Sequence, residues 1–299
     1  MSKKKITVGI TAYNCHKYLL NAIRSVIDQG SDLWTGILIL DGGADRKTRK
    51  IFEQFKHPKF QKYAFNENKG PFGTRAKAIE LSKTEWYYQL DGDDLLPKDA
   101  IKLILETIDT HSDAEFVYGN CEHFSINNSK IKTPMTDCEA LCFGPLFNTQ
   151  SPIKKSLYYR LGGYCDEFYI NADWDFWISV FESGINGICI NDVIYRRRHR
   201  KNNVASLYSH LRPEIVKKII TRHPKFFYIN NRRNITLFKV YELMARDYRS
   251  LGKREDAYKH TIVAEKYGSP TPTLKEIKKE FKMPYMRYKF RRIIRQLFF

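Results

Sequence analysis

Short apolar stretches alternate with amphipathic helical stretches through the first third of the chain, and this alternation constrains the fold more than any other feature. The apolar stretches cover residues 6–10, 36–40, 63–65 and 86–90, and helical spacing covers residues 16–29, 46–55 and 73–81. Strands that alternate with helices in this way pair in parallel, because each helix carries the chain back across the sheet. Farther along the chain, a helix is predicted over residues 97–108 and strands are predicted over residues 115–118 and 187–195. The sequence therefore predicts an α/β fold, Rossmann-like, with a mostly parallel sheet flanked by helices.

Two acidic clusters stand at the ends of predicted strands. Asp41-Gly42-Gly43 follows the second strand, and Asp91-Gly92-Asp93-Asp94 follows the strand at 86–90. In open α/β sheets, ligands bind beyond the carboxyl ends of the strands. Carboxylates this close repel one another unless a cation offsets their charge, and oxygen ligands suit Mn²⁺ or Mg²⁺. The alternative is a solvated turn in which Asp94 caps the helix that follows.

Five motifs occur in an order and spacing that resembles the family 2 glycosyltransferases of the GT-A fold. They are Thr11-Ala12-Tyr13-Asn14, Asp41-Gly42-Gly43-Ala44-Asp45, Asn66-Glu67-Asn68-Lys69-Gly70 with Gly73-Thr74-Arg75, Asp91-Gly92-Asp93-Asp94, and Ala172-Asp173-Trp174-Asp175. The resemblance implies an inverting enzyme that moves a sugar from a nucleotide-diphosphate sugar, most often a UDP-sugar, to a hydroxyl group. It further implies a glycan or lipid-linked acceptor, surface polysaccharide synthesis, and Mn²⁺ or Mg²⁺ as cofactor.

The resemblance also implies a role for individual residues. The implied donor-binding residues are Thr11, Tyr13, Asp41, Lys69, Gly70, Arg75, Asp91 and Gly92. The implied metal ligands are Asp91, Asp93 and His199. Asp173 is the implied general base, which takes the proton of the acceptor hydroxyl as the new bond forms.

Plainer interpretations of these residues stay open. Asp41 could belong to a simple turn, and Arg75 could be a surface charge on a helix. Asp173 could cap a helix, and His199 could lie in a solvated basic loop. The family usually has an acidic residue directly before the base, where this chain has alanine, so Asp175 is a second candidate for the base.

The positive charge of the chain is concentrated near its C-terminus. The formal net charge is +18, and residues 196–299 carry 28 basic and 8 acidic side chains. Within residues 283–299, arginines lie on one helical face and apolar side chains on another, which is typical of a helix at an anionic membrane surface. Nucleic acid is the alternative partner for such charge, but no recognised nucleic-acid motif accompanies it, so we expect no nucleic-acid binding.

A second enzyme class, the sugar nucleotidyltransferases, is less compatible with the residues that follow the first strand. A sugar nucleotidyltransferase needs a glycine-rich loop there to hold a triphosphate, and this chain has Thr11-Ala12-Tyr13-Asn14-Cys15 instead.

The six cysteines include no C-x-x-C pair, and no apolar stretch approaches the ~20 residues that span a bilayer. We therefore expect a cytoplasmic protein that is peripheral on the inner face of the cell membrane.

The sequence also predicts how these functions are distributed along the chain. Residues 1–96 form the donor-binding half of the α/β domain, and residues 97–205 form the half with the acceptor site and the base. Residues 206–299 form a basic helical extension, in which residues 234–268 have the spacing of a helical hairpin turning at Gly252. A single hairpin cannot bury its apolar face alone, so we expect it to pack on the α/β domain.

Overall fold

The structure is a computed structural model that describes residues 5–30, 32–125, 129–132, 138–145, 150–199, 208–285 and 288. The chain divides into two compact units. The first comprises residues 1–140 and 145–203, and the second comprises residues 141–144 and 204–299.

The first unit contains strands and helices in alternation. Its elements are β1 (Ile6–Ala12), α1 (Leu19–Ile27), β2 (Trp34–Leu40), α2 (Arg46–Gln54), β3 (Phe60–Ala64), α3 (Gly70–Leu81), β4 (Trp86–Asp91), α4 (Ala100–Thr110), β5 (Val117–Phe124), β6 (Ser129–Lys132), β7 (Ile153–Lys154), α5 (Lys155–Arg160), α6 (Ala172–Glu182) and β8 (Ile188–Arg198). Short 3-10 helices span Cys138–Phe143 and Ser209–Leu211.

The main sheet has the strand order β3-β2-β1-β4-β7. Strands β1 to β4 are parallel, and β7 pairs antiparallel with β4. β1 and β4 are buried along nearly their whole length, as expected for parallel strands covered on both faces. The parallel-dominated sheet and its flanking helices confirm the predicted fold class.

A smaller sheet has the order β6-β5-β8, in which β5 and β8 are parallel. It joins the main sheet where the hydroxyl of Tyr88 on β4 donates to the backbone carbonyl of Ile194 on β8, at 2.5 Å. Leu95, just beyond β4, forms a bridge with Arg196. These contacts bring the end of β8 beside the acidic cluster that follows β4.

The second unit is helical in the residues that the structure describes. Its helices are α7 (Arg212–Arg222), α8 (Pro224–Phe227), α9 (Arg232–Ser250), α10 (Arg254–Ala264) and α11 (Pro272–Phe281). The hairpin predicted over residues 234–268 is formed by α9 and α10, and Gly252 between them has a φ of +76°. Helix α11 packs on the hairpin, where Glu280 accepts two hydrogen bonds from the guanidinium of Arg249.

The structure leaves the membrane prediction untested. None of the helices within the described residues is long and apolar enough to cross a bilayer. Apart from residues 283–285 and 288, the segment predicted to form an amphipathic tail lies outside the described residues.

Candidate functional site

Five polar side chains converge on the carboxyl ends of β1 and β4. Arg75 on α3 donates through Nη2 to both carboxylate oxygens of Asp91, at 2.9 and 2.8 Å. Gln89 and Gln150 donate to the same carboxylate at 3.2 and 3.1 Å. The hydroxyl of Thr11, which lies opposite Asp91 in the β1–β4 register, donates at 3.3 Å. Asp91 is therefore held in one orientation from several sides.

The charges of Arg75 and Asp91 are mutually dependent. The Arg75 side chain is only 10% exposed, so the interpretation of Arg75 as a surface charge is wrong. Burial by itself would raise the pKa of Asp91, but the charge and hydrogen bonds of Arg75, together with Arg197 and Gln89, leave that pKa below its ordinary value. Burial by itself would lower the pKa of Arg75, but Asp91 and the other nearby acidic groups raise it. The site thus contains a fixed buried ion pair.

Gly92 lets the chain turn tightly at the end of β4. Its N–H donates to the backbone carbonyl of Thr11 at 2.9 Å. A Cβ atom at Gly92 would lie 2.7 Å from that carbonyl oxygen and 2.9 Å from Sγ of Cys15, closer than real contacts allow. Glycine is therefore required here for close packing against the end of β1.

Asp94 has a structural position that the sequence did not indicate. It is 3% exposed and accepts hydrogen bonds from the Tyr195 hydroxyl at 2.7 Å and the Arg198 N–H at 2.6 Å. Helix α4 begins after Asp99, so the interpretation of Asp94 as its cap is wrong. Burial, together with the charges of Asp93 and Asp91, raises the pKa of Asp94 to about 8.

The three predicted metal ligands lie on two neighbouring segments. Asp93 is half-buried, and its backbone carbonyl accepts from Nε of Arg198 at 2.8 Å. His199 is exposed at the end of β8, where its Nε2 lies 2.9 Å from Nδ1 of His123. Within the part of the chain that the structure describes, no group of three or more His, Cys, Asp or Glu side chains is arranged to hold a metal ion.

Asp41 organises the loop that precedes α3. Its carboxylate is buried at the end of β2 and accepts from the N–H groups of Gly42 at 2.9 Å and Lys69 at 2.7 Å. Burial raises the pKa of Asp41, although these N–H groups oppose the rise. The Lys69 side chain is itself half exposed and pairs with Glu67 at 3.3 Å. Tyr13 is 36% exposed just after β1.

Gly70 begins α3 and packs against the segment that leads into α6. It has a φ of +70°, and an added Cβ would lie 2.6 Å from the ring of Tyr169. Glycine therefore meets both a conformational and a steric requirement at this position. Gly70, implied by the resemblance as a donor-binding residue, therefore lies in close contact with an aromatic ring of the same chain.

Asp173 is the second residue of α6 and is half-buried. Asn171 occupies the position of the N-cap with a φ of +65°, so the interpretation of Asp173 as the cap is wrong. Asp173 also contributes to the raised pKa of Arg75, after burial and Asp91, which places it within electrostatic reach of the ion pair. Asp175 is 1% exposed in the same helix, so Asp173 is the more accessible of the two candidate bases.

Sequence reasoning missed several side chains that build this site. Gln89 is hidden within an apolar strand, and Gln150 lies in a segment with no periodic pattern. Tyr195 is 101 residues from its partner Asp94, so no local signal could connect them. A polar residue within a buried strand, such as Gln89, was the one available signal.

Part of the chain is similar in sequence to known proteins. The family model described as glycosyl transferase family 2 matches residues 7–170. The chain is 25% identical to chondroitin synthase of Escherichia coli over 201 residues, which are 64% of this chain and 29% of that protein. It is 30% identical over 106 residues, 35% of this chain, to the putative teichuronic acid biosynthesis glycosyltransferase TuaG of Bacillus subtilis, of which it covers 42%. The chain thus spans less than half the length of either relative.

Solved structures of S. aureus TarS have a similar fold. TarS 1-349 in complex with UDP-GlcNAc matches with a TM-score of 0.58 at 16% identity, covering 88% of this chain and 91% of that chain. The longer TarS structure matches with a TM-score of 0.62 at 14% identity, covering 91% of this chain and 50% of that chain.

Proposed function

Because the chain belongs to glycosyl transferase family 2, we propose that it transfers a sugar from a nucleotide-diphosphate sugar to a hydroxyl group, with inversion at the anomeric carbon. The observation that carries this proposal is the convergence of Thr11, Arg75 and Asp91 at the carboxyl ends of β1 and β4, with Asp173 within electrostatic reach. Ligands of open α/β sheets bind at this edge.

The proposed donor is a UDP-sugar. Thr11, Tyr13 and Asp41 lie at or just beyond the ends of adjacent strands and would hold the nucleoside. Lys69, Gly70 and Arg75 belong to the loop and helix that follow, beside the expected position of the diphosphate. UDP-GlcNAc and UDP are the ligands named for the structures of TarS, and this supports uridine as the base.

We propose that Mn²⁺ or Mg²⁺ binds with the donor, with Asp93 as its main protein ligand and Asp91 and His199 beside it. Asp91 accepts from Arg75, and Asp93 is half-buried two residues further along the same turn. The residues fit such an ion, since Mg²⁺ and similar cations commonly bind through one or two carboxylates together with phosphate oxygens. When bound, the ion would offset negative charge on the departing diphosphate.

The proposed general base is Asp173. An inverting displacement forms the new bond on the face opposite the leaving group, so the base must reach the acceptor hydroxyl from that side. Asp173 takes the hydroxyl proton as the oxygen attacks the anomeric carbon and the nucleoside diphosphate departs with the bonding electrons. Its position on α6, an element separate from β4 and α3, supports this division of roles.

The proposed acceptor is a glycan or lipid-linked glycan in surface polysaccharide synthesis. The names of chondroitin synthase and of the teichuronic acid glycosyltransferase TuaG refer to polysaccharides, which supports this class of product. The basic residues of 283–299 support a further proposal, that the protein is peripheral on the inner face of the cell membrane.

A thermal-shift screen tests the proposal. We expect UDP-sugars with Mn²⁺ to raise the melting temperature most, because a ligand at 100 times its Kd stabilises a protein by about 2.7 kcal/mol. GDP-, dTDP- and CMP-sugars test the base, and EDTA tests the metal. If no nucleotide sugar stabilises the protein under any of these conditions, the proposed function is wrong.

A further inference from the structure

An open aromatic groove lies beside the candidate site in the first unit. It has a volume of about 700 Å³ and is bordered by the end of β3, the outer face of α3, and the segment between α5 and α6. Eight of the described residues that line it are aromatic. The rings that retain exposed surface are those of Tyr63, Phe65, Tyr159 and Tyr169. Tyr169 contacts Gly70 of the donor site, whereas Tyr63, Phe65 and Tyr159 have no role in the donor site described above.

Tyr159 presents the largest open ring in this groove. The residue is 54% exposed, although an aromatic side chain of this size usually gains from burial. Its ring packs edge-on against the buried Tyr158, with the ring centroids 5.4 Å apart. One edge of Tyr159 is therefore supported by the protein while the rest of the ring is accessible to a ligand.

The charged side chains of the groove balance one another. Lys69 and Lys77 contribute two positive charges, and Glu80 and Asp166 contribute two negative charges. Lys77 and Glu80 are already paired at 2.6 Å. A groove with no net charge offers no advantage to an anionic polymer. Its tyrosines and paired charges suit a neutral ligand that is rich in hydroxyl groups.

The groove is continuous with the candidate site. Gly70 and Tyr169 line it, and they are in close contact at the start of α3. Tyr164 also lines it; burial raises the pKa of this residue, and the charges of Arg75 and Asp173 act on it as well. One end of the groove therefore lies within electrostatic reach of the proposed base.

We propose that this groove binds the neutral saccharide part of the acceptor, with Tyr159 as a stacking platform. This inference rests on the proposed function. A pyranose ring presents a face of C–H groups that packs on an aromatic ring, and its hydroxyl groups hydrogen-bond to tyrosines and carboxylates at the rim. The bound saccharide extends along α3 and delivers its terminal hydroxyl towards Asp173.

Oligosaccharide binding to four forms of the full chain tests this proposal. The probes are chitopentaose, cellopentaose and maltopentaose, which are neutral, and a chondroitin hexasaccharide, which is anionic. We expect at least one neutral probe to bind the unmodified protein in saturation-transfer NMR and calorimetry. Tyr159→Ala should weaken that binding about 5-fold or more, and Tyr159→Phe should retain it. The matched control is Tyr228→Ala, which removes a ring that is 68% exposed in the second unit, and it should bind like the unmodified protein.

The same samples are titrated with UDP so that two kinds of failure can be distinguished. If UDP binds but none of the neutral probes does, the groove proposal is overturned while the donor site stands. An equal effect of Tyr159→Ala and Tyr228→Ala, or preferential binding of the chondroitin probe, also overturns it. If the unmodified protein binds neither UDP nor any nucleotide sugar, the proposed function itself fails.

Discussion

Replacing Arg75 with methionine removes the cation from the buried pair at the centre of the site. Asp91 then keeps the neutral donors Gln89, Gln150 and Thr11 but loses its only charged partner among the residues that bond to it in the structure. Breaking a buried pair by removing one partner costs about 3–5 kcal/mol. Because the Asp91 side chain is 23% exposed and keeps some water, we expect the lower end, about 3 kcal/mol.

The effect of this substitution should depend on pH in a defined direction. In the unmodified protein the pKa of Asp91 lies below its unfolded value of about 3.9, so ionised Asp91 stabilises the fold above that pH. This contribution is lost as pH falls through the lowered pKa. Without Arg75, burial raises the pKa of Asp91 instead, and protonation relieves the penalty as pH falls. The difference between the two proteins should therefore be largest near pH 7.5 and shrink below about pH 4.

Urea unfolding at pH 7.5 and at pH 4 measures both effects. The matched control is Lys77→Met, which removes a cation from the same helix, where Lys77 pairs with the exposed Glu80. Exposed pairs contribute about 0–1 kcal/mol, so the control should change stability little. A loss for Arg75→Met no larger than that of the control, or one that is independent of pH, would refute the reasoning.

Three further predictions concern the metal, Asp94 and the tail. Asp93→Ala should weaken UDP binding in Mn²⁺ by at least about 10-fold and leave UDP binding in EDTA unchanged, measured by calorimetry against the exposed control Asp113→Ala. Equal losses in both buffers would contradict the metal role. The stability of Asp94→Asn should depend less on pH between about 4 and 8, because the raised pKa of Asp94, about 8, makes the unmodified protein lose stability as pH rises across that range. Chemical unfolding at pH 5 and pH 9 checks this, and identical pH dependence in both proteins counts against it. Deletion of residues 283–299 should release the protein from vesicles with anionic lipid in a sedimentation assay, because it removes five cations that each contribute ~1 kcal/mol. Unchanged vesicle binding, or stronger binding to duplex DNA than to vesicles, would contradict the membrane proposal.

The sequence predicted well the limits of those strands and helices that local residue patterns define. β1, β2 and β4 consist mainly of apolar residues, and each strand lies within two residues of its expected limits. Helix α3 was expected from residue 73 and begins at Gly70, because the left-handed backbone of that glycine starts the helix earlier. Helix α4 was expected from residue 97 and begins at Ala100, because Asp99 has a φ of +61°.

Elements that depend on distant partners were predicted less well. β5 was expected to end at residue 118 but continues to Phe124 through polar residues. β8 was expected to end at residue 195 but continues to Arg198 through arginines. These two extensions pair with each other, from Cys121 opposite Tyr195 to Phe124 opposite Arg198. Local patterns could not reveal a partner more than 70 residues away.

The same limit applies to the candidate site. The order of motifs predicted that Thr11, Arg75 and Asp91 would lie together, and the structure places them in contact. The order of motifs could not predict that Arg75 is buried, since an arginine in an amphipathic helix usually faces solvent. The side-chain bond from Gln150 to Asp91 joins residues 59 positions apart, and it was likewise beyond the reach of sequence reasoning.

The central claim is that one edge of the main sheet holds the donor while Asp173, on α6, removes the acceptor proton. The most direct test measures donor affinity and sugar transfer in the same preparation of Asp173→Asn, which keeps the shape of the side chain. We expect a Kd for the UDP-sugar within about 2-fold of that of the unmodified protein and a fall in the transfer rate of about 10²–10⁴-fold. Loss of donor binding, or transfer at an undiminished rate, would contradict the central claim.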